Sequence, residues 1–146
     1  TEINLHLPAL LPDSYCPDVH ERLVIYKRLA NCETQAEQDD MAVELIDRFG
    51  LMPPAVKTLF ASHALRMVCK PYGILKLDSH DKATTIQFIA KPPLDPVKMM
   101  RMIQQNKAFK LAGPDKLRIE KPSHDLDERL AIIYPVLQEL AKCQLN

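Results

Sequence analysis

Ile74-Leu75-Lys76-Leu77-Asp78-Ser79-His80-Asp81-Lys82-Ala83-Thr84-Thr85-Ile86-Gln87-Phe88-Ile89 decides the fold class of this 146-residue chain. Two runs that favour extended backbone, residues 74–77 and 84–89, flank the polar turn Asp78-Ser79-His80-Asp81, and this arrangement predicts a β-hairpin. A second hairpin is expected around Gly113-Pro114-Asp115, where Leu117 and Ile119 face in while Lys116, Arg118 and Glu120 face out. Between the hairpins, Pro92, Pro93 and Pro96 lead into a helix over residues 95–106.

Toward the N-terminus the pattern turns helical. Ile3, Leu5 and Leu7 first mark a half-buried strand, which Pro8 and Pro12 end. Pro17-Asp18 opens a helix reaching about residue 31, with Leu23, Tyr26 or Lys27, and Ala30 at helical spacing; Pro17 suits its first turn. A second helix spans residues 34–49. Thr34 and Glu37 make a capping box, Ala42, Leu45, Ile46 and Phe49 form its apolar stripe, and Gly50 stops it. Pro53-Pro54 starts a third helix to about residue 70, burying Val56, Leu59, Phe60, Ala64 and Met67. The last helix begins near Asp125, with Glu128 completing a capping box, and Pro135 is expected to kink or break it. Hairpin-linked strands with helices against them predict an α+β class: residues 1–146 as a single domain, a small mostly antiparallel sheet packed with about five helices.

The composition, 47% hydrophobic and 26% charged, is that of a globular chain long enough to bury a core without disulfides or metal. No stretch is apolar enough for a membrane span. The four cysteines, Cys16, Cys32, Cys69 and Cys143, form no metal-ligand pair and read as reduced, cytoplasmic core thiols. No initiator Met is present and the first residues already read as strand, so the chain is read as a piece of a longer protein.

Evidence for catalysis is sparse. The three glycines, Gly50, Gly73 and Gly113, build no phosphate-cradling loop, so no nucleotide or other cofactor is expected here. His63, between Phe60 and Met67, reads as a packed or partly exposed core histidine. Ser79-His80-Asp81 and Ser123-His124-Asp125 spell triad letters, but adjacent residues cannot converge as a triad must. Met99, Met100 and Met102 read as core packing before a soft docking surface.

Charge is more informative. The net charge is zero, yet residues 1–50 hold ten acids against four bases and residues 91–121 hold eight bases against three acids. The basic segment 91–121 has one aromatic, Phe109, and no nucleic-acid motif, so a solvated face is preferred over phosphate binding. On the second helix Glu37, Asp40, Glu44 and Asp47 recur at spacings of three and four, which aligns four carboxylates. Such a stripe costs helix stability unless a basic surface compensates. It is the candidate docking site, together with Arg48.

Glu44-Leu45-Ile46-Asp47-Arg48-Phe49-Gly50-Leu51-Met52-Pro53 resembles the E-L-x-D-R-F-G-x-x-P signature of the C-terminal domain of bacterial transcription-repair coupling factors. The opening residues 2–12, Arg22-Leu23, Tyr26-Lys27-Arg28, Gly73-Ile74, Leu111-Ala112-Gly113-Pro114 and Lys116-Leu117 are similar to that family in the same order. The resemblance implies a regulatory domain of an ATP-driven DNA translocase that displaces stalled RNA polymerase and recruits the A subunit of the excision nuclease. ATP and Mg would belong to the parent's motor domains. The domain itself would have no catalytic site and would dock on an N-terminal module resembling the nuclease B subunit, using the positions of Glu44 and Asp47. The alternative reading is an auxiliary nucleic-acid-binding domain acting through residues 91–121.

Overall fold

A computed structural model describes residues 1–145. The helices are α1 (Val19–Ala30), α2 (Gln35–Phe49), α3 (Pro54–Cys69), α4 (Pro96–Gln105) and α5 (Leu126–Ala141); the strands are β1 (Glu2–Asn4), β2 (Ile74–Ser79), β3 (Thr84–Phe88), β4 (Phe109–Leu111) and β5 (Lys116–Ile119). They form one sheet of order β1-β2-β3-β5-β4, antiparallel except for the β1–β2 pair. The class is α+β, as the hairpin pattern requires. The chain divides into two compact units: Leu7–Met67, and Thr1–His6 together with the chain from Val68 onward.

The second of these units carries the sheet. In β3 the side chains of Thr84, Ile86 and Phe88 are buried and those of Thr85 and Gln87 are not, the period-two pattern of a one-sided sheet. β2 breaks this rhythm at Leu75, which a register shift between Ile74 and Lys76 leaves 48% exposed. The turn lies later than the sequence reading put it, because β2 runs on through Asp78 and Ser79, and His80 N–H donates to the Ala83 carbonyl. At this end buried Ser79 and Thr84 satisfy each other, hydroxyl to hydroxyl, at 2.8 Å. The first strand is also shorter than expected. His6 adopts φ +53, a left-handed conformation that ends it, and Leu5 is nevertheless buried. Arg129 of α5, itself buried, donates from Nε to the carbonyls of Leu5 (2.8 Å) and Ser79 (3.2 Å), and from Nη1 to that of Ser123 (3.2 Å). One guanidinium thereby ties α5, β2 and the chain after β1 together. Pro135 does not break α5, which continues to Ala141. A single missing N–H in a helix with Ile133, Val136, Leu137 and Leu140 buried is tolerated.

The other unit is helical. Its core gathers Leu11, Cys16, Ile25, Leu29, Met41, Leu45, Val56, Leu59 and Phe60. Two helix faces differ from the sequence reading. On α1 the buried residues are Ile25 and Leu29, while Leu23 is 62% exposed. On α2 they are Gln38, Met41 and Leu45, while Ile46 is 40% exposed. Pro17 stands outside α1: Asp18 is the cap, and its carboxylate accepts from the N–H groups of His20 and Glu21.

Candidate docking surface

The surface begins with the capping of α2. The Thr34 hydroxyl accepts from Glu37 N–H, and the Glu37 carboxylate accepts from Glu33 N–H, one residue before the cap. Glu37 therefore serves the first turn of the helix. Buried Gln38 donates to the Phe60 carbonyl at 3.0 Å and fixes the rotation of α2 within its unit. Leu45, fully buried two turns further on, contributes about 1.5–3 kcal/mol. With Gln38, Met41 and Leu45 turned in, residues 40, 43, 44 and 47 must share the opposite face.

That face is divided. Arg28 of α1 holds Glu44 through two bonds, Nη1 to Oε2 at 2.6 Å and Nη2 to Oε1 at 3.1 Å. Arg48 lies 3.5 Å from the same carboxylate and also pairs with Glu21, and its guanidinium stands 4.8 Å from the centre of the Phe49 ring. The four charges Glu21, Arg48, Glu44 and Arg28 thus bind α1 to α2. The bond from Arg28 holds the Glu44 carboxyl below the usual carboxylate range, and Arg28 is raised in return. Asp40 and Asp47 are exposed and have no ion pair or hydrogen bond among the described residues. Between them Val43 stands 60% exposed.

Of the residues singled out by sequence, then, Glu37 caps, Glu44 and Arg48 join the helix pair, and Asp40 and Asp47 remain available. Glu21 and Arg28 were not foreseen as partners, nor Val43 as the apolar centre of the acidic face. The i, i+4 spacing of Glu44 and Arg48 was the one local signal for the network.

The rest of the 44–53 segment has work within the fold. Phe49 packs on Tyr15 with ring centres 5.6 Å apart, and the Tyr15 hydroxyl donates to the Gly50 carbonyl at 2.8 Å. Gly50 takes φ +95 and ψ −172, a conformation that glycine alone adopts readily. The Pro53 carbonyl accepts from the N–H groups of Val56 and Lys57 and so opens α3.

The basic residues of segment 91–121 lie in the sheet-bearing unit. Lys110 and Arg118 pair with Glu120. Lys91, Lys98, Arg101, Lys107, Lys116 and Lys121 are exposed and without ion pairs among the described residues. Of the methionines, Met102 is buried, Met99 half-buried and Met100 45% exposed. Burial pushes the Cys69 thiol up to about 12, and none of the four cysteines is in a disulfide. Among the described residues no cluster of three or more His, Cys, Asp or Glu side chains is placed to hold a metal, and no helix is long and apolar enough to cross a membrane.

An α+β domain whose helical unit presents exposed Asp40 and Asp47 on either side of Val43 defines the class. A solved structure described as the C-terminal domain of transcription-repair coupling factor has the same fold, with a TM-score of 0.73 at 24% identity, covering 97% of this chain and 93% of that one. The TRCF domain model matches residues 5–99, and the chain belongs to that family. Transcription-repair-coupling factors of Haemophilus influenzae and Escherichia coli are 39% and 38% identical to it, over 96% and 100% of the chain. That of Myxococcus xanthus is 29% identical over 99%. The chain spans 12% of the length of each of these relatives.

Proposed function

We propose that this chain is an autoinhibitory docking domain of a transcription-repair coupling factor, covering the surface of the parent that binds the excision nuclease A subunit. The observation that carries the reading is the division of labour in segment 44–53. Leu45, Phe49, Gly50 and Pro53 shape the fold, and Glu44 and Arg48 bind α1 to α2. Asp47 has no partner among the described residues and stands with Asp40 beside exposed Val43. An apolar centre with a charged rim is the anatomy of a protein interface. Its sign selects a basic partner surface, here the N-terminal module resembling the nuclease B subunit.

The energetics suit a switch. Each buried charge pair across such an interface is worth about 2–5 kcal/mol on truncation. Tethering within one chain lets a weak contact hold, and about 5.5 kcal/mol moves a population from 1:99 to 99:1. The test is Asp40→Lys with Asp47→Lys in the parent, leaving the Glu44 network intact. Binding of the nuclease A subunit to the full-length protein should rise toward that of a parent lacking this domain. A folded double variant that binds no better than wild type rejects autoinhibition.

A further inference from the structure

We propose, building on the docking of α2 onto a basic surface of the parent's N-terminal module, that Leu51 is the apolar anchor of that contact. It seats in a hydrophobic pocket that the module carries beside its basic side chains. Leu51 is 86% exposed, the most exposed large hydrophobic side chain among the described residues. A single exposed leucine needs no explanation. Leu51 is not single. Position 50 lies one turn beyond Ile46 and two turns beyond Val43, so the chain leaves α2 on the flank where those two side chains stand exposed. Val43, Ile46 and Leu51 therefore follow one apolar line, with the carboxylates of Asp39, Asp40 and Asp47 on the same side of the helix.

The frame around Leu51 is fixed. Gly50 N–H donates to the Ile46 carbonyl at 2.9 Å, and the Gly50 carbonyl accepts from the Tyr15 hydroxyl at 2.8 Å. On the other side Met52 packs against the helical core, and the Pro53 carbonyl is engaged in opening α3. The backbone is thus held at both neighbours by bonds and packing that leave the leucine side chain itself without work in the fold. An apolar side chain fixed in place before contact loses little freedom on binding, and its burial then shows as affinity.

Charge selects what surrounds the pocket. Arg48 is the only base on α2 and is taken up by Glu21 and Glu44, whereas Asp40 and Asp47 have no ion pair among the described residues. Those two aspartates lie two turns apart, about 10 Å along the helix. The fitting surface offers lysine or arginine side chains at about that spacing, with its apolar pocket at the Asp47 end. A second copy presenting the same face would set carboxylates against carboxylates, and a nucleic-acid backbone would meet the same repulsion.

The experiment titrates the wild-type 146-residue chain, Leu51→Ser and Leu51→Met into the parent's N-terminal module by calorimetry, at low and at high salt. Leu51→Ser should keep the wild-type melting curve and bind at least about tenfold more weakly. Leu51→Met, apolar and of similar volume, should bind nearly as the wild type does. The loss from Leu51→Ser should keep its size as salt rises, whereas the loss from Asp40→Lys with Asp47→Lys shrinks. Binding that the aspartate variant weakens and Leu51→Ser leaves unchanged overturns the anchor while the docking reading stands. A Leu51→Ser loss that vanishes at high salt overturns the anchor too. So does self-association of the wild-type chain that Leu51→Ser abolishes with binding to the module intact. No binding of the wild-type chain at either salt removes the docking reading and the anchor with it.

Discussion

Gly50 shows how much one residue can carry without a side chain. A Cβ there would meet nothing within 4 Å, so the requirement for glycine is purely conformational. Gly50→Ala should cost about 1–3 kcal/mol in urea denaturation, while a change of similar size at exposed Asp47 should be nearly silent. His63 makes the opposite case. Its Nδ1 is buried with no hydrogen-bond partner among the described residues, and burial, then the nearby Arg66 charge, depresses its pKa. The unfolded chain therefore takes up the His63 proton first. Stability is full above the unfolded value of about 6.5 and falls as pH drops from there toward the lower folded value. His63→Leu should flatten that slope in denaturation midpoints measured across this window, and it removes an orphaned polar atom. Arg129 lies at the far end of the scale. Arg129→Met leaves buried carbonyls of Leu5, Ser79 and Ser123 without their donor, at a cost on the order of 3 kcal/mol.

At the scale of elements, caps and faces part company. Thr34→Ala should lower stability by about 1 kcal/mol, since the hydroxyl satisfies Glu37 N–H at the start of α2; thermal melts of the two chains check it. The ends of α2 were legible because capping residues act on their own first or last turn. So were the second hairpin and the existence of the first, whose turn falls two residues later than the sequence reading put it. The faces of α1 and α2 were not. Leu23 and Ile25 are equally apolar in sequence, and the packing of three helices makes the second one core and the first solvent-facing. The pairing of Arg48 with Glu21 bridges 27 residues and that of Arg28 with Glu44 bridges 16, distances over which spacing says nothing. The spacing put the four carboxylates on one side of α2, but it could not show that Arg28 and Arg48 pair with Glu44 within the fold. Glu44 is already neutralised, and that internal pairing offsets the repulsion the stripe would otherwise suffer.

Over the whole chain, zero net charge conceals two surfaces of opposite sign, one on each unit, and each has its own unpaired groups. In the proposed docking, a patch of carboxylates around one valine binds through charge at its rim, so its affinity must fall with salt. The most direct test titrates the 146-residue chain into the parent's N-terminal module by calorimetry, at low and at high salt. The wild-type chain should bind, more weakly as salt rises. Asp40→Lys with Asp47→Lys should lose at least about tenfold in affinity, or about 1.4 kcal/mol, with its melting curve unchanged. Undiminished binding by that folded double variant would contradict the assignment of α2 as the docking face.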